Sequence, residues 1–179
     1  SKRLFQYMQD HQQEFLEVLE GAVRRESPTE GDPNDLIACR DYFAGLFREI
    51  GFHVTTVKSL DPRFADHLLV EYGAGAGRAA EELAQWLKTR GRFPVPQWEP
   101  SVGGASRQLL FGGHYDTVHE KGIFGDSLWN IEGDHAIGPG ILDMKSGDVQ
   151  VYLIAKAFQD LGLMPEGARL AFLLTSDEE

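Results

Sequence analysis

The run Leu170-Ala171-Phe172-Leu173-Leu174-Thr175 is apolar until its last position and then meets Ser176-Asp177-Glu178-Glu179. A strand that is apolar on both faces must be covered on both faces, so this chain has to set helices against a sheet. Residues 108–111 form a second apolar strand, which ends in Gly112-Gly113-His114. The remaining pattern supplies the helices. Over residues 2–25, Leu4, Phe5, Met8, Phe15, Leu16, Leu19 and Val23 fall mostly at helical spacing, until a Pro- and Gly-containing break at 26–33. A second helix is expected over 34–50, closed by Gly51, and a third from Asp143 or Met144 to about 161. Residues 52–57 and 67–72 read as further strands, the opening apolar strand spans 169–175, and 79–90 reads as a helix and 91–104, with Pro94, Pro96 and Pro100, as a loop. Strands alternating with helices predict an α/β fold with a mostly parallel sheet flanked by helices.

The 179 residues suit one domain with a sizeable core, and a 42% hydrophobic share with eleven Phe argues against disorder. A formal net charge of −11 repels nucleic acid and anionic membrane surfaces, so neither is an expected partner. Converging carboxylates can attract divalent cations instead. The single cysteine, Cys39, excludes an internal disulfide and a cysteine zinc site, leaving a packing role. No window nears the roughly 18 apolar residues of a membrane span, and the first residues lack a continuous apolar stretch, so a cytoplasmic location is expected.

Three segments carry chemistry. In Phe111-Gly112-Gly113-His114-Tyr115-Asp116-Thr117-Val118, His114 follows a strand end, where ligand sites form in open α/β sheets, and Asp116 lies two residues on, on the same side of an extended chain. In Gly138-Pro139-Gly140-Ile141-Leu142-Asp143-Met144-Lys145-Ser146-Gly147, Asp143 stands where a helix should begin, a position that favours a carboxylate. At the end, Asp177-Glu178-Glu179 repel one another unless they are solvated or bind cations. Each segment has a plain structural reading: a surface turn, a helix cap, a solvated edge. Together they place a histidine and several carboxylates at one sheet edge.

In that order and at that approximate spacing, the three segments resemble the co-catalytic dizinc metallopeptidase family of glutamate carboxypeptidase, aminoacylase, acetylornithine deacetylase and succinyl-diaminopimelate desuccinylase. Ser27-Pro28-Thr29 and Ile131-Glu132-Gly133-Asp134 look like the family's carboxypeptidase branch. The resemblance implies that 1–179 is the N-terminal portion of a zinc hydrolase catalytic domain, with 73–106 an insertion and with the lid or dimerisation domain and C-terminal half absent. It implies zinc, two ions per complete site, with cobalt or manganese as substitutes. By resemblance His114 ligates one zinc, Asp143 bridges both and Glu179 ligates the other, while Glu178 is the general base and Asp116 orients His114. The implied activity of the parent enzyme is hydrolysis of an amide or peptide bond, of carboxypeptidase, dipeptidase or N-acyl amino acid deacylase type. Its substrate would be a peptide or N-acyl amino acid, and a homodimer could form through the absent domain. The 179-residue chain itself, holding only part of the ligand set, is expected to be inactive.

His11, His53, His67, His119 and His135 fall at no motif position and are expected at the surface or satisfied in place. Asp177 reads as a loop carboxylate, and Lys145 as a helical surface lysine. Two other functions compete. One is a non-catalytic module that keeps the fold and binds a partner. The other is a nucleotide-binding domain, suggested by Gly73-x-Gly75-x-Gly77 between a strand and a helix; there the third glycine of the dinucleotide pattern would fall on Arg78.

Overall fold

The computed structural model describes residues 2–78 and 107–179. The helix expected over 79–90, the loop over 91–104 and most of the 73–106 insertion lie outside the described residues.

The expected first helix is two. Helix α1 (Lys2–Asp10) and helix α2 (Gln12–Val23) are separated at His11, which leaves helical geometry at φ −107° and ψ 21°. Its ring Nδ1 lies 2.7 Å from the Tyr7 carbonyl oxygen, which also accepts the His11 backbone N–H at 3.1 Å. Helix α3 (Pro33–Glu49) begins as its residue types require. Asp32 caps it by accepting the backbone N–H of Asn34 at 2.9 Å, and Pro33 occupies the first turn, where no N–H is needed. Leu36, Cys39, Phe43, Ala44 and Phe47 form its buried stripe, so Cys39 has the packing role expected of it.

Strands β1 (His53–Val57), β2 (His67–Gly73), β3 (Arg107–His114) and β6 (Ala168–Thr175) form one sheet in the order β1-β2-β6-β3. The class is α/β, but the sheet is mixed where a mostly parallel one is expected. Strand β2 runs antiparallel to both β1 and β6, and among the described strands only β3 and β6 are parallel. The stretch 58–66 between β1 and β2 is too short for the helical crossover that a parallel pair needs, which requires about a dozen residues. Helix α3 packs on β1 and β2, and helix α4 (Ser146–Asp160) packs on β3 and on α2.

Phe172 joins these layers. It is fully buried, its ring stacks on Phe47 at 5.3 Å and on Phe111 at 5.4 Å, and Phe52 lies 6.0 Å away. One side chain therefore ties β6 to α3, to β3 and to the start of β1.

Two features were not visible beforehand. Strands β4 (Asn130–Glu132) and β5 (His135–Ile137) make a hairpin turned at Gly133, whose φ is +60°. Three-residue, largely exposed strands carry too little alternation to detect. Helix α4 also starts later than expected: Ile141–Lys145 form a wide turn in which Asp143 is extended (φ −125°, ψ 102°) and its peptide bond to Met144 is cis. Asp143 therefore precedes the helix and does not cap it. Among the described residues no helix is long and apolar enough to cross a membrane.

Phe172→Ala should lower the free energy of unfolding by about 3–5 kcal/mol, the range for removing a buried ring. Urea denaturation followed by circular dichroism measures it, and a loss below 1 kcal/mol, about the cost of a single buried methylene, would show that Phe172 does not join the layers.

Candidate metal centre

The parallel register of β3 against β6 pairs His114 with Thr175, so both strands end at the same edge. His114 therefore stands beside Ser176–Glu179, as their positions after apolar strands predict. The wide turn at 141–145 brings Asp143 to the same place. The His114 Nε2 is 3.1 Å from Oδ1 of Asp143 and 3.9 Å from Oε2 of Glu178. His114, Glu178 and Glu179 each offer one ligand atom within 4.8 Å of the others. All five residues assigned by resemblance converge.

The other side of the ring decides what Nε2 can do. His114 is buried, and its Nδ1 lies 3.2 Å from the carbonyl oxygen of Asp116 and 3.3 Å from that residue's Oδ1. Only acceptors face Nδ1, so Nδ1 carries the proton and donates it to the Asp116 carbonyl. In the neutral ring Nε2 is then a lone pair turned toward carboxylate oxygens. A lone pair against anions requires a cation between them, a proton or a metal ion. The exposed side chains of Asp143 (74%) and Glu178 (59%) leave that position open to solvent. The donor set, one imidazole with oxygen ligands, suits zinc and its borderline neighbours.

Asp116 is the fully buried support. Its Oδ2 accepts the Thr29 hydroxyl at 2.8 Å and the backbone N–H of Glu179 at 3.1 Å, so one carboxylate ties His114 to the acidic edge. Segment 27–29 is laced to 115–117. The Ser27 hydroxyl donates to the Tyr115 carbonyl at 2.5 Å, the Thr117 N–H to the Ser27 carbonyl at 2.9 Å, and the Thr29 N–H to the Thr117 carbonyl at 3.1 Å. Tyr115 is itself buried and donates its hydroxyl to the Asp66 carbonyl at 2.8 Å. Gly140, at φ +69°, carries the turn past Thr117, whose Cγ2 would lie 2.4 Å from an added Cβ. A cavity of about 300 Å³ opens beside Glu179, lined in part by Thr29, Glu30, Thr117 and Glu120.

One residue departs from expectation. Lys145 is fully buried, not on the helix surface; its Nζ donates to the carbonyl oxygens of Arg25 at 2.8 Å and Ala22 at 3.3 Å, and burial pushes its pKa down. It closes the C-terminal end of α2, whose last carbonyls have no helical partner. Two supporting residues were missed. Thr29 had no local signal, because its partner is 87 positions away. Asp148 carries no motif signal in the sequence, and it is 1% exposed. Asp177 remains a loop carboxylate, with Oδ1 3.8 Å from Nδ1 of His67. None of the histidines set aside enters the cluster with His114.

The sequence profile described as peptidase family M20/M25/M40 matches residues 110–179, the part that holds all five of these residues. Over those residues the chain is similar to that peptidase family. Carboxypeptidase G2 of Pseudomonas sp. (strain RS-16) is 30% identical over 176 residues, which are 98% of this chain and 35% of that protein. Human carnosine dipeptidase 1 superposes with a TM-score of 0.66 at 19% identity, over 99% of this chain and 34% of its own. The dipeptidase Dug1p of Saccharomyces cerevisiae does so with a TM-score of 0.64 at 14% identity, over 97% of this chain and 34% of its own. The chain thus spans about a third of the length of the relatives it matches. Its fold is one it shares with the two dipeptidases.

Thr29→Val should cost about 1–3 kcal/mol, since it leaves the buried Oδ2 of Asp116 short of a donor. Chemical denaturation of the metal-free protein reads this directly, and an unchanged midpoint would mean that the Thr29 hydroxyl does not support Asp116.

Proposed function

We propose that this chain supplies His114, Asp143 and Glu179 to a two-zinc site, with Glu178 as general base, for hydrolysis of a peptide or N-acyl amino acid. The observation that carries the reading is the His114 ring, whose Nδ1 is committed as a donor while Nε2 faces carboxylates. His114 and Asp143 would hold one ion, and Asp143 and Glu179 the other. Bound zinc supplies a Lewis acid that polarises the scissile carbonyl and lowers the pKa of water toward about 7.

The chain's own groups account for the proton. Glu178 is on the same edge as His114 but largely solvated, free to accept a proton from the attacking water and return it to the departing amine nitrogen. Asp116 stays fixed during this exchange, because both its backbone carbonyl and its Oδ2 are held. The cavity beside Glu179 gives the substrate somewhere to lie next to the proposed ligands. Amide hydrolysis of carboxypeptidase, dipeptidase or deacylase type fits this arrangement equally well. The names of the relatives, a carboxypeptidase and two dipeptidases, support the peptide-bond side of that range.

The experiment is amine release from dipeptides and N-acyl amino acids at neutral pH, with zinc or with a chelator, by the hydrolase that contains this chain. Glu178→Gln should lower kcat at least about 10²-fold, the scale of losing one catalytic proton-transfer group, while zinc stoichiometry stays at the parent's value. Undiminished turnover by the Gln variant, or turnover indifferent to chelation, would refute the assignment.

A further inference from the structure

Asp148, on the first turn of α4, is buried, and neither of its carboxyl oxygens has a hydrogen-bond partner. Asp116 presents a third such atom: its Oδ2 is saturated by Thr29 and Glu179, but its Oδ1 is buried without a hydrogen bond. Asp148 reaches Gly113, the residue before His114, and feels the Asp116 charge, so two carboxyl groups with three unsatisfied oxygens lie buried behind His114. As two anions they would be costly, since each would be desolvated, without donors, and repelled by the other.

The surroundings supply no donor to Asp148. The titratable groups around this layer are Lys145, Asp116, Cys39 and the His114 ring, whose Nδ1 lies 3.3 Å from Oδ1 of Asp116 and gives its proton to the Asp116 carbonyl. The Lys145 ammonium draws Asp148 toward ionisation but spends its hydrogen bonds on the Arg25 and Ala22 carbonyls. The Asp116 carboxylate pushes Asp148 the other way. The Cys39 thiol is buried and held in its neutral form. Burial, with Asp116 adding to it, outweighs Lys145 and raises the Asp148 carboxyl well above the ordinary range.

Strand β3 is shaped to admit this group. A Cβ on Gly113 would sit 2.3 Å from Oδ1 of Asp148 and 3.0 Å from Cδ2 of Leu174. The residue beside His114 thus has to be glycine for the Asp148 carboxyl to reach this layer.

We propose that Asp148 is a positioning residue, protonated at neutral pH, which offers its O–H to Oδ1 of Asp116, directly or through one buried water, and so anchors the support of His114. The proton completes Asp116, whose other contacts are to Thr29, Glu179 and the His114 ring. Asp148 touches neither substrate nor metal, and its effect on the metal centre runs through Asp116. That effect rests on the metal reading above, whereas the protonation of Asp148 does not.

The test compares the parent chain with Asp148→Asn and Asp148→Val, using cobalt(II) as the probe. In infrared difference spectra at neutral pH, the parent should show the carbonyl band of a protonated carboxyl that the Asn variant lacks; no such band overturns the proposal. Asn preserves shape and a donor, so its cobalt affinity and visible spectrum should match the parent's. Val has no donor and should weaken cobalt binding about 10–100-fold, the usual cost of losing a partner that supports a ligand, with an unchanged circular dichroism spectrum. A Val variant that binds cobalt as tightly as the parent, or an Asn variant that loses tenfold, contradicts the assignment. Should the Val variant not fold, the infrared band and the Asn affinity decide. If the parent takes up no cobalt, the metal reading has failed, and the band decides the state of Asp148 on its own.

Discussion

The parallel pairing of β3 with β6 is the constraint on which the site depends. Because His114 is in register with Thr175, the two strands deliver an imidazole and an acidic tripeptide to one edge, though they lie more than fifty residues apart in sequence. A slip of one residue would turn every side chain of β3 to the other face and remove His114 from the carboxylates. The register is held by burial. Leu170, Phe172 and Leu174 fill the core on one face of β6, and Phe172 packs against aromatic rings from strand β3, from helix α3 and from Phe52 just before β1.

Asp116 converts that placement into chemistry. A fully buried carboxylate is expensive unless its oxygens are engaged, and here the engagements serve the site: Thr29 from the N-terminal segment and Glu179 from the acidic edge both donate to Oδ2, while the backbone carbonyl of Asp116 faces the His114 ring. The same contacts fix the tautomer of His114 and leave Nε2 directed at Asp143 and Glu178. Protein stability and ligand orientation thus rest on the same few hydrogen bonds, an arrangement common behind metal-binding histidines.

What could be read from the sequence follows from which interactions are local. The buried strands, the α3 cap at Asp32 and Pro33, and the motif residues His114, Asp143, Glu178 and Glu179 all announce themselves through periodicity or through residue types next to one another. The break at His11 was hidden, because a helical apolar pattern continues across it while the backbone does not. Sheet direction was also hidden: apolar strands interleaved with helices suggest parallel pairing, and only the length of 58–66 argues otherwise for β1 and β2. The burial of Lys145 and of Asp148 is hidden from the sequence for a common reason. Charged residues at a helix start are normally solvated, and nothing near them in sequence reveals that α2 and β3 close over them. Thr29 shows the converse, since its segment was noticed only through family resemblance and its hydrogen bond to Asp116 appears only in three dimensions.

The central claim is that a cation belongs between the Nε2 of His114 and the facing carboxylates. Crystals equilibrated with zinc and measured on both sides of the zinc absorption edge would locate the ion without reference to activity. The account predicts an anomalous peak at about 2.0–2.2 Å from Nε2 of His114 and from a carboxylate oxygen of Asp143, the distances zinc adopts with these ligands. Zinc bound elsewhere, with Nε2 of His114 still turned to Asp143 and no metal between them, would contradict it.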